Sequence, residues 1–200
     1  MIAIAITLLV LGLDVPSGLD EAGLAGALRD LGPQLFSFLL SFLVIGRFWI
    51  SHHRLFRHVR YYDDRLLVLN GAFLSSVAFL PFPTSLLGEY MHHRSALVVY
   101  ALSVAASGLA FSLLWAHAAY GGHLMAEDLD PRLRRSLLLR SLSVPVPFLA
   151  SVPLAAAGLF YPAAAMWIVL PPVARSVLRW QYHRTRLRTQ PGTTASSARR

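Results

Sequence analysis

Polar side chains that could contact an ion or a ligand are sparse in this chain, and the first of them is Thr7. It is the only polar side chain of residues 1–13, which are otherwise apolar. At helical spacing Ile4, Thr7, Leu8 and Leu11 share one face. Such a face suits an ion path through a membrane, because branched aliphatic side chains narrow the path and a hydroxyl can contact an ion. The alternative interpretations are the core of a signal peptide and an ordinary buried helix.

The eight histidines are the next candidates, because imidazole is a common ligand of metals. His52 with His53, and His92 with His93, form adjacent pairs that we predict on opposite sides of a membrane. Neighbouring residues do not share a helix face, and a haem between helices needs single histidines at matching depth. We therefore interpret these pairs as structural or interfacial. A membrane enzyme or haem carrier is the minor alternative, and we predict no metal and no other cofactor.

Asn70 is the clearest polar residue within the later apolar runs. We interpret it as a group that hydrogen-bonds between helices rather than one that binds a ligand. The near absence of ionisable side chains in these runs argues against a proton pump or a transporter of charged substrates. An ion path lined by apolar rings needs no buried charge, since a hydrophobic constriction gates by dewetting. One helix cannot enclose such a path, so this interpretation requires a symmetric oligomer.

The composition predicts an integral membrane protein. The chain is 56% hydrophobic and only 14% charged, whereas soluble domains carry about 25% charged residues. It has no cysteine, which excludes disulfides and thiolate metal sites. The 18 basic residues are all arginines at the ends of apolar segments. Anionic lipid headgroups, and not nucleic acid, are therefore the expected partner of the net charge of +8.

Six apolar segments predict an all-α fold with six transmembrane helices per subunit. The first, 2–13, spans roughly 18 Å against an apolar bilayer core of about 30 Å, so we expect this N-terminally short helix to begin upstream. No basic residue precedes it, which argues against a signal peptide. An amphipathic helix is predicted at 20–30, and Pro81 and Pro83 should interrupt the third span. The remaining spans are predicted near 34–50, 66–87, 95–117, 136–160 and 163–178.

The arginines predict the orientation of these spans. Five lie between 47 and 65, four between 132 and 140, and seven from Arg175 onward, whereas only Arg29 and Arg94 lie in the alternate loops. By the positive-inside rule, both termini of this multi-pass protein of the cell membrane are cytoplasmic. We predict one transmembrane domain over residues 1–180, followed by a basic, disordered cytoplasmic tail at 181–200.

Three segments carry a resemblance to a known family. The run AIAITLLVL at 3–11, FWISHHRLF at 48–56, and Asn70 followed by FLPF at 79–82 resemble the first three helices of the bacterial transmembrane protein 175 family of potassium channels. The resemblance covers about residues 2–90. It implies a homotetramer of six-helix subunits, whose first helices line a pore that K⁺ permeates.

The resemblance also implies roles for particular residues. Ile4 corresponds to the constriction, Leu8 and Leu11 to further apolar rings, and Thr7 to the hydroxyl that aids selectivity for potassium. His53, with His52 as the alternative, resembles a histidine of a structural polar network, to which we add Asn70.

One motif of the family is absent from the chain. The family's signature Arg-x-x-x-Phe-Ser-Asp would lie just before Ile2, so we expect either a start further upstream or a copy that has lost the motif. A non-conducting or degenerate membrane assembly protein of the same family is therefore the alternative to a channel.

Overall fold

The computed structural model describes residues 1–13, 17–18, 20–121, 124–125 and 131–188. Within these ranges the chain is helical, apart from an isolated bridge between Val59 and Met125, so the all-α prediction is confirmed. The helices are α1 (Ile2–Val10), α2 (Glu21–Asp30), α3 (Gly32–Phe56), α4 (Asp64–Phe79), α5 (Pro81–Glu89), α6 (Arg94–Tyr120), α7 (Pro131–Ser141), α8 (Pro145–Ala156) and α9 (Phe160–Arg188).

Four helical segments in the described part are long and apolar enough to cross a membrane. They are α3, α4 with α5, α6, and α7 with α8. The apolar part of α9, Phe160–Ala174, is shorter, and α1 has nine residues. Several transmembrane helices are thus present, while the count of six stays a prediction.

Proline and carboxylate positions explain where the helices begin and end. Leu80 separates α4 from α5, because Pro81 cannot donate to the carbonyl four residues earlier; this is the predicted interruption of the third span. Asp20 accepts a hydrogen bond from the Gly23 N–H at 2.8 Å and caps α2, which lies at the predicted position.

Helix α6 lies at the centre of the subunit and packs against α3, α4, α5, α7 and α8. Small residues allow this packing: a Cβ atom added at Gly108 would lie 2.7 Å from Cδ of Pro145 at the start of α8. Backbones approach closely in lipid where small residues meet, as predicted for this segment.

The C-terminal part of the chain requires a correction. Helix α9 continues through Arg188, so residues 181–188, predicted as disordered tail, are helical. They contain neither glycine nor proline, and arginine, leucine and glutamine are good helix formers. Residues 189–200 of the predicted tail lie outside the described residues.

Candidate ion-conducting site

Helix α1 has one packed side and one exposed side. It packs against α3, α4 and α5. Three residues form the buried side: Ile2, Ala5 and Leu9. The four residues predicted to share a face lie on the opposite, exposed side: Ile4, Thr7, Leu8 and Leu11. An apolar face with Ile4 60% and Leu11 74% exposed needs a partner outside the subunit, either lipid or other subunits.

The Thr7 hydroxyl is oriented by its own helix. It donates a hydrogen bond to the carbonyl oxygen of Ile4 at 2.8 Å. Because the proton is used by the backbone, the oxygen presents its lone pairs as acceptors. An acceptor oxygen on an exposed apolar face can contact a cation that passes along it.

The end of α1 approaches α5 closely at Gly12. A Cβ atom there would lie 2.8 Å from Oγ of Ser85, a side-chain hydroxyl that can rotate away. The end of α1 therefore lies close to α5, one of the three helices against which α1 packs.

A polar pair lies between α3 and α4. Nε2 of His52 and Oδ1 of Asn70 are 2.8 Å apart, and the imidazole stacks on Phe73 with ring centroids 5.5 Å apart. The His52 ring N–H donates to the amide oxygen, which requires the tautomer protonated at Nε2. This hydrogen bond fixes the relative position of α3 and α4, which both pack against α1.

His53 has a different environment from its neighbour. It is exposed, its imidazole stacks with Trp49 at 6.1 Å, and its side chain makes no hydrogen bond within the described ranges. The structure thus joins two of the three residues predicted for the polar network and leaves His53 apart. Among the described residues no three His, Asp or Glu side chains group as metal ligands would.

A second polar link was not anticipated from the sequence. Asp63 caps α4 by accepting the Leu66 N–H at 2.7 Å, and Nε2 of His117 lies 2.9 Å from its Oδ2. The Leu66 N–H bond lowers the pKa of Asp63 below its ordinary value, and the His117 contact adds to this effect. The pair ties the beginning of α4 to the end of α6, and the only sequence signal was the capping position of Asp63.

Buried hydroxyl groups form another link that sequence patterns do not reveal. Oγ of Ser41 lies 2.7 Å from Oγ1 of Thr84 and 3.0 Å from the Tyr100 hydroxyl. These groups join α3, α5 and α6 inside the subunit, where each satisfies the other's hydrogen-bonding capacity. These polar contacts therefore hold α3 and α5, against which α1 packs, in a fixed position relative to α6.

Together, long apolar helices, few buried charges and an exposed apolar helix face are features of integral membrane proteins. A sequence profile of the family described as "Endosomal/lysosomal potassium channel TMEM175" matches residues 1–81. A potassium channel of Streptomyces collinus is 39% identical over 142 residues, which are 69% of this chain and 69% of that protein.

Two further similarities involve Chamaesiphon minutus. A potassium channel of this organism is 43% identical over 133 residues, or 64% of this chain and 66% of that protein. The "crystal structure of a lysosomal potassium-selective channel TMEM175 homolog" superposes with a TM-score of 0.74 at 33% identity, over 88% of this chain and 92% of that one. This chain belongs to the TMEM175 family of ion channels.

Proposed function

We propose that this chain is the subunit of a homotetrameric, potassium-permeable channel whose pore is lined by α1. The observation that carries the proposal is the exposed apolar face of α1, opposite the side that packs on α3, α4 and α5. Potassium is proposed as the permeant ion because relatives are named as potassium channels. Four copies of the exposed face around a symmetry axis would enclose the pore.

Ile4 forms the narrowest ring of this pore. Four isoleucine side chains around an axis make a constriction that water wets poorly, so it limits the passage of ions. Leu8 and Leu11 form further apolar rings on the same face. Thr7 lies between Ile4 and Leu8 on this face, and its acceptor oxygen interacts with the partly dehydrated ion and favours potassium.

The polar pair of His52 and Asn70 positions the pore helix from behind. It holds α3 and α4 in register, and α1 packs against both helices. His53 follows His52 on the exposed side of α3 and takes no part in the hydrogen bond between His52 and Asn70.

The topology follows from the arginine distribution. Helix α1, the four long segments and α9 make six spans, with both termini in the cytoplasm of a cell that carries the protein in its cell membrane. Membrane lipids surround the outer surface of the tetramer, away from the pore.

The proposal is tested by ion flux in liposomes that contain the purified full chain. We expect potassium flux above that of protein-free liposomes, with sodium flux lower. Ile4→Asn should wet the constriction and raise sodium flux several-fold, whereas the matched control Ile4→Val keeps the ring apolar and sodium flux low. A folded tetramer without potassium flux, or an Ile4→Asn variant with unchanged flux and ion preference, would overturn this function.

A further inference from the structure

A cavity of about 380 Å³ lies beside the C-terminal end of α3, apart from the exposed face of α1. Its lining comes from α3 and the turn that follows, from α6 and from α7. Arg47 and Arg54 line it from α3, Arg57 and His58 from the turn, and Arg140 from α7. The volume is in the range of small-ligand sites, about 300–1,000 Å³.

Three of the cavity's arginines, Arg47, Arg54 and Arg57, are not neutralised by any carboxylate that the structure describes. None of its described lining residues is an aspartate or glutamate. In the described part of the chain, no carboxylate is close enough to Arg47, Arg54 or Arg57 to form an ion pair. Clustered guanidinium groups repel one another, so an anion between them is stabilised by all of them. The planar donor fork of arginine matches the oxygens of a phosphate group.

The inner wall of the cavity is apolar and holds one further donor. Leu55, Phe111 and Trp115 line this wall and are buried. Trp115 is 4% exposed, and its indole N–H has no acceptor among the residues that the structure describes. A buried N–H without an acceptor destabilises a fold, so an oxygen atom in the cavity would relieve that cost.

We propose that this cavity binds a phosphate group, supplied by the headgroup of an anionic phospholipid or by free inorganic phosphate. Guanidinium groups from α3, its following turn and α7 contact the phosphate oxygens, and the Trp115 indole adds a donor at the apolar wall. In the topology proposed above the cavity faces the cytoplasm, where arginine-rich loops meet anionic lipid. Binding at this site does not depend on whether the pore conducts.

The test measures the apparent melting temperature of the detergent-purified full chain. Dihexanoyl phosphatidylglycerol, inorganic phosphate and dihexanoyl phosphatidylcholine are titrated separately, since a ligand that binds the folded state stabilises it in proportion to its occupancy. We expect phosphatidylglycerol to raise the melting temperature and phosphatidylcholine, which has no net charge, to raise it less.

Two variants with equal loss of charge separate the cavity from general electrostatics. Arg47→Gln with Arg54→Gln removes two lining arginines, whereas Arg60→Gln with Arg65→Gln removes two exposed arginines that do not line the cavity. The first pair should weaken phosphatidylglycerol binding by about a hundredfold or more, because each of the two lost charged hydrogen bonds contributes about tenfold or more. The second pair should bind as the natural chain does.

A third variant, Trp115→Phe, keeps an aromatic side chain at the apolar wall and removes the N–H together with the five-membered part of the indole. It should fold and bind more weakly than the natural chain, which keeps the proposal testable if the arginine variant is unstable. Stabilisation by phosphatidylglycerol but not by phosphate identifies a lipid headgroup, and stabilisation by both identifies free phosphate as sufficient. Equal responses to phosphatidylglycerol and phosphatidylcholine, or equal binding by both arginine pairs, would overturn the site.

Discussion

Helices α6 and α1 are both apolar, yet the subunit buries them differently. The buried residues of α6 face α3, α4, α5, α7 and α8, and its serines at 107 and 112 donate to carbonyls of α6 itself. Helix α1 buries only Ile2, Ala5 and Leu9 and exposes the side that carries Ile4.

This difference separates a helix that holds the subunit together from a helix that the subunit presents outward. Substitutions on α6, or on the packed side of α1, should lower the stability of the subunit more than they change ion conduction. Substitutions on the exposed side of α1 should change conduction and leave the stability of the subunit nearly unaltered.

The largest stability effect is expected at Ile2, on the packed side of α1. Ile2→Ala leaves a cavity against the neighbouring helices and should cost about 2–5 kcal/mol, whereas Ile4→Ala on the exposed side should cost much less. Melting of the two variants in detergent measures the contrast. Equal destabilisation of both would mean that α1 has no distinct packed side.

The next largest effect is expected at the contact between α6 and α8. Gly108→Ala places a Cβ atom 2.7 Å from the ring of Pro145, which is fixed to its own backbone and cannot move away. We expect a loss of about 1–3 kcal/mol. At Gly71 a Cβ atom meets nothing within 4 Å, so Gly71→Ala is the control and should be neutral or stabilising by about 1 kcal/mol. A neutral Gly108→Ala would contradict this packing.

A smaller effect, on selectivity and not on stability, is expected at Thr7. Thr7→Val keeps the shape of the side chain and removes the acceptor oxygen, so the ratio of potassium to sodium flux should fall about two- to twelvefold, as for the loss of one hydrogen bond. Thr7→Ser keeps the hydroxyl and should keep the ratio. The hydroxyl has no role in selectivity if valine and serine give the same ratio as threonine.

The smallest effect is expected at Asp63, where α4 meets the end of α6. Since its pKa is lowered in the folded state, its carboxylate stabilises the fold above the ordinary pKa of about 3.9, and this contribution disappears as the pH falls through the lower folded value. Asp63→Asn retains a capping group but removes this pH dependence. Between about pH 5 and pH 3, the melting temperature should therefore fall less in Asp63→Asn than in the control Asp64→Asn. The same pH dependence of the melting temperature in both variants would contradict a stabilising contribution from the Asp63 carboxylate.

Local patterns are sufficient for part of this structure. The spans and the shared face of Ile4 and Leu8 depend on residues a few positions apart, which helical periodicity describes. The break at Leu80 follows from Pro81 because proline acts on its own helical turn.

Contacts between distant residues could not be predicted in the same way. The partner of Asn70 is His52, 18 positions earlier, and their hydrogen bond requires α3 and α4 to lie side by side. The arginines of the cavity come from two helices and a turn, and only packing brings Arg140 to Arg47. The helical course of 181–188 was obscured by the low-complexity sequence that follows it.

The central claim, that the exposed side of α1 lines the pore, is tested most directly with single cysteines. The natural chain has none, so Ile4→Cys introduces one thiol per subunit. In liposomes containing Ile4→Cys, Cd²⁺ should block potassium flux, because thiolates from several subunits around the axis bind this soft metal ion. The natural chain should be insensitive to Cd²⁺. Conduction by Ile4→Cys that Cd²⁺ does not change, together with block of a cysteine variant on another helix, would contradict the account.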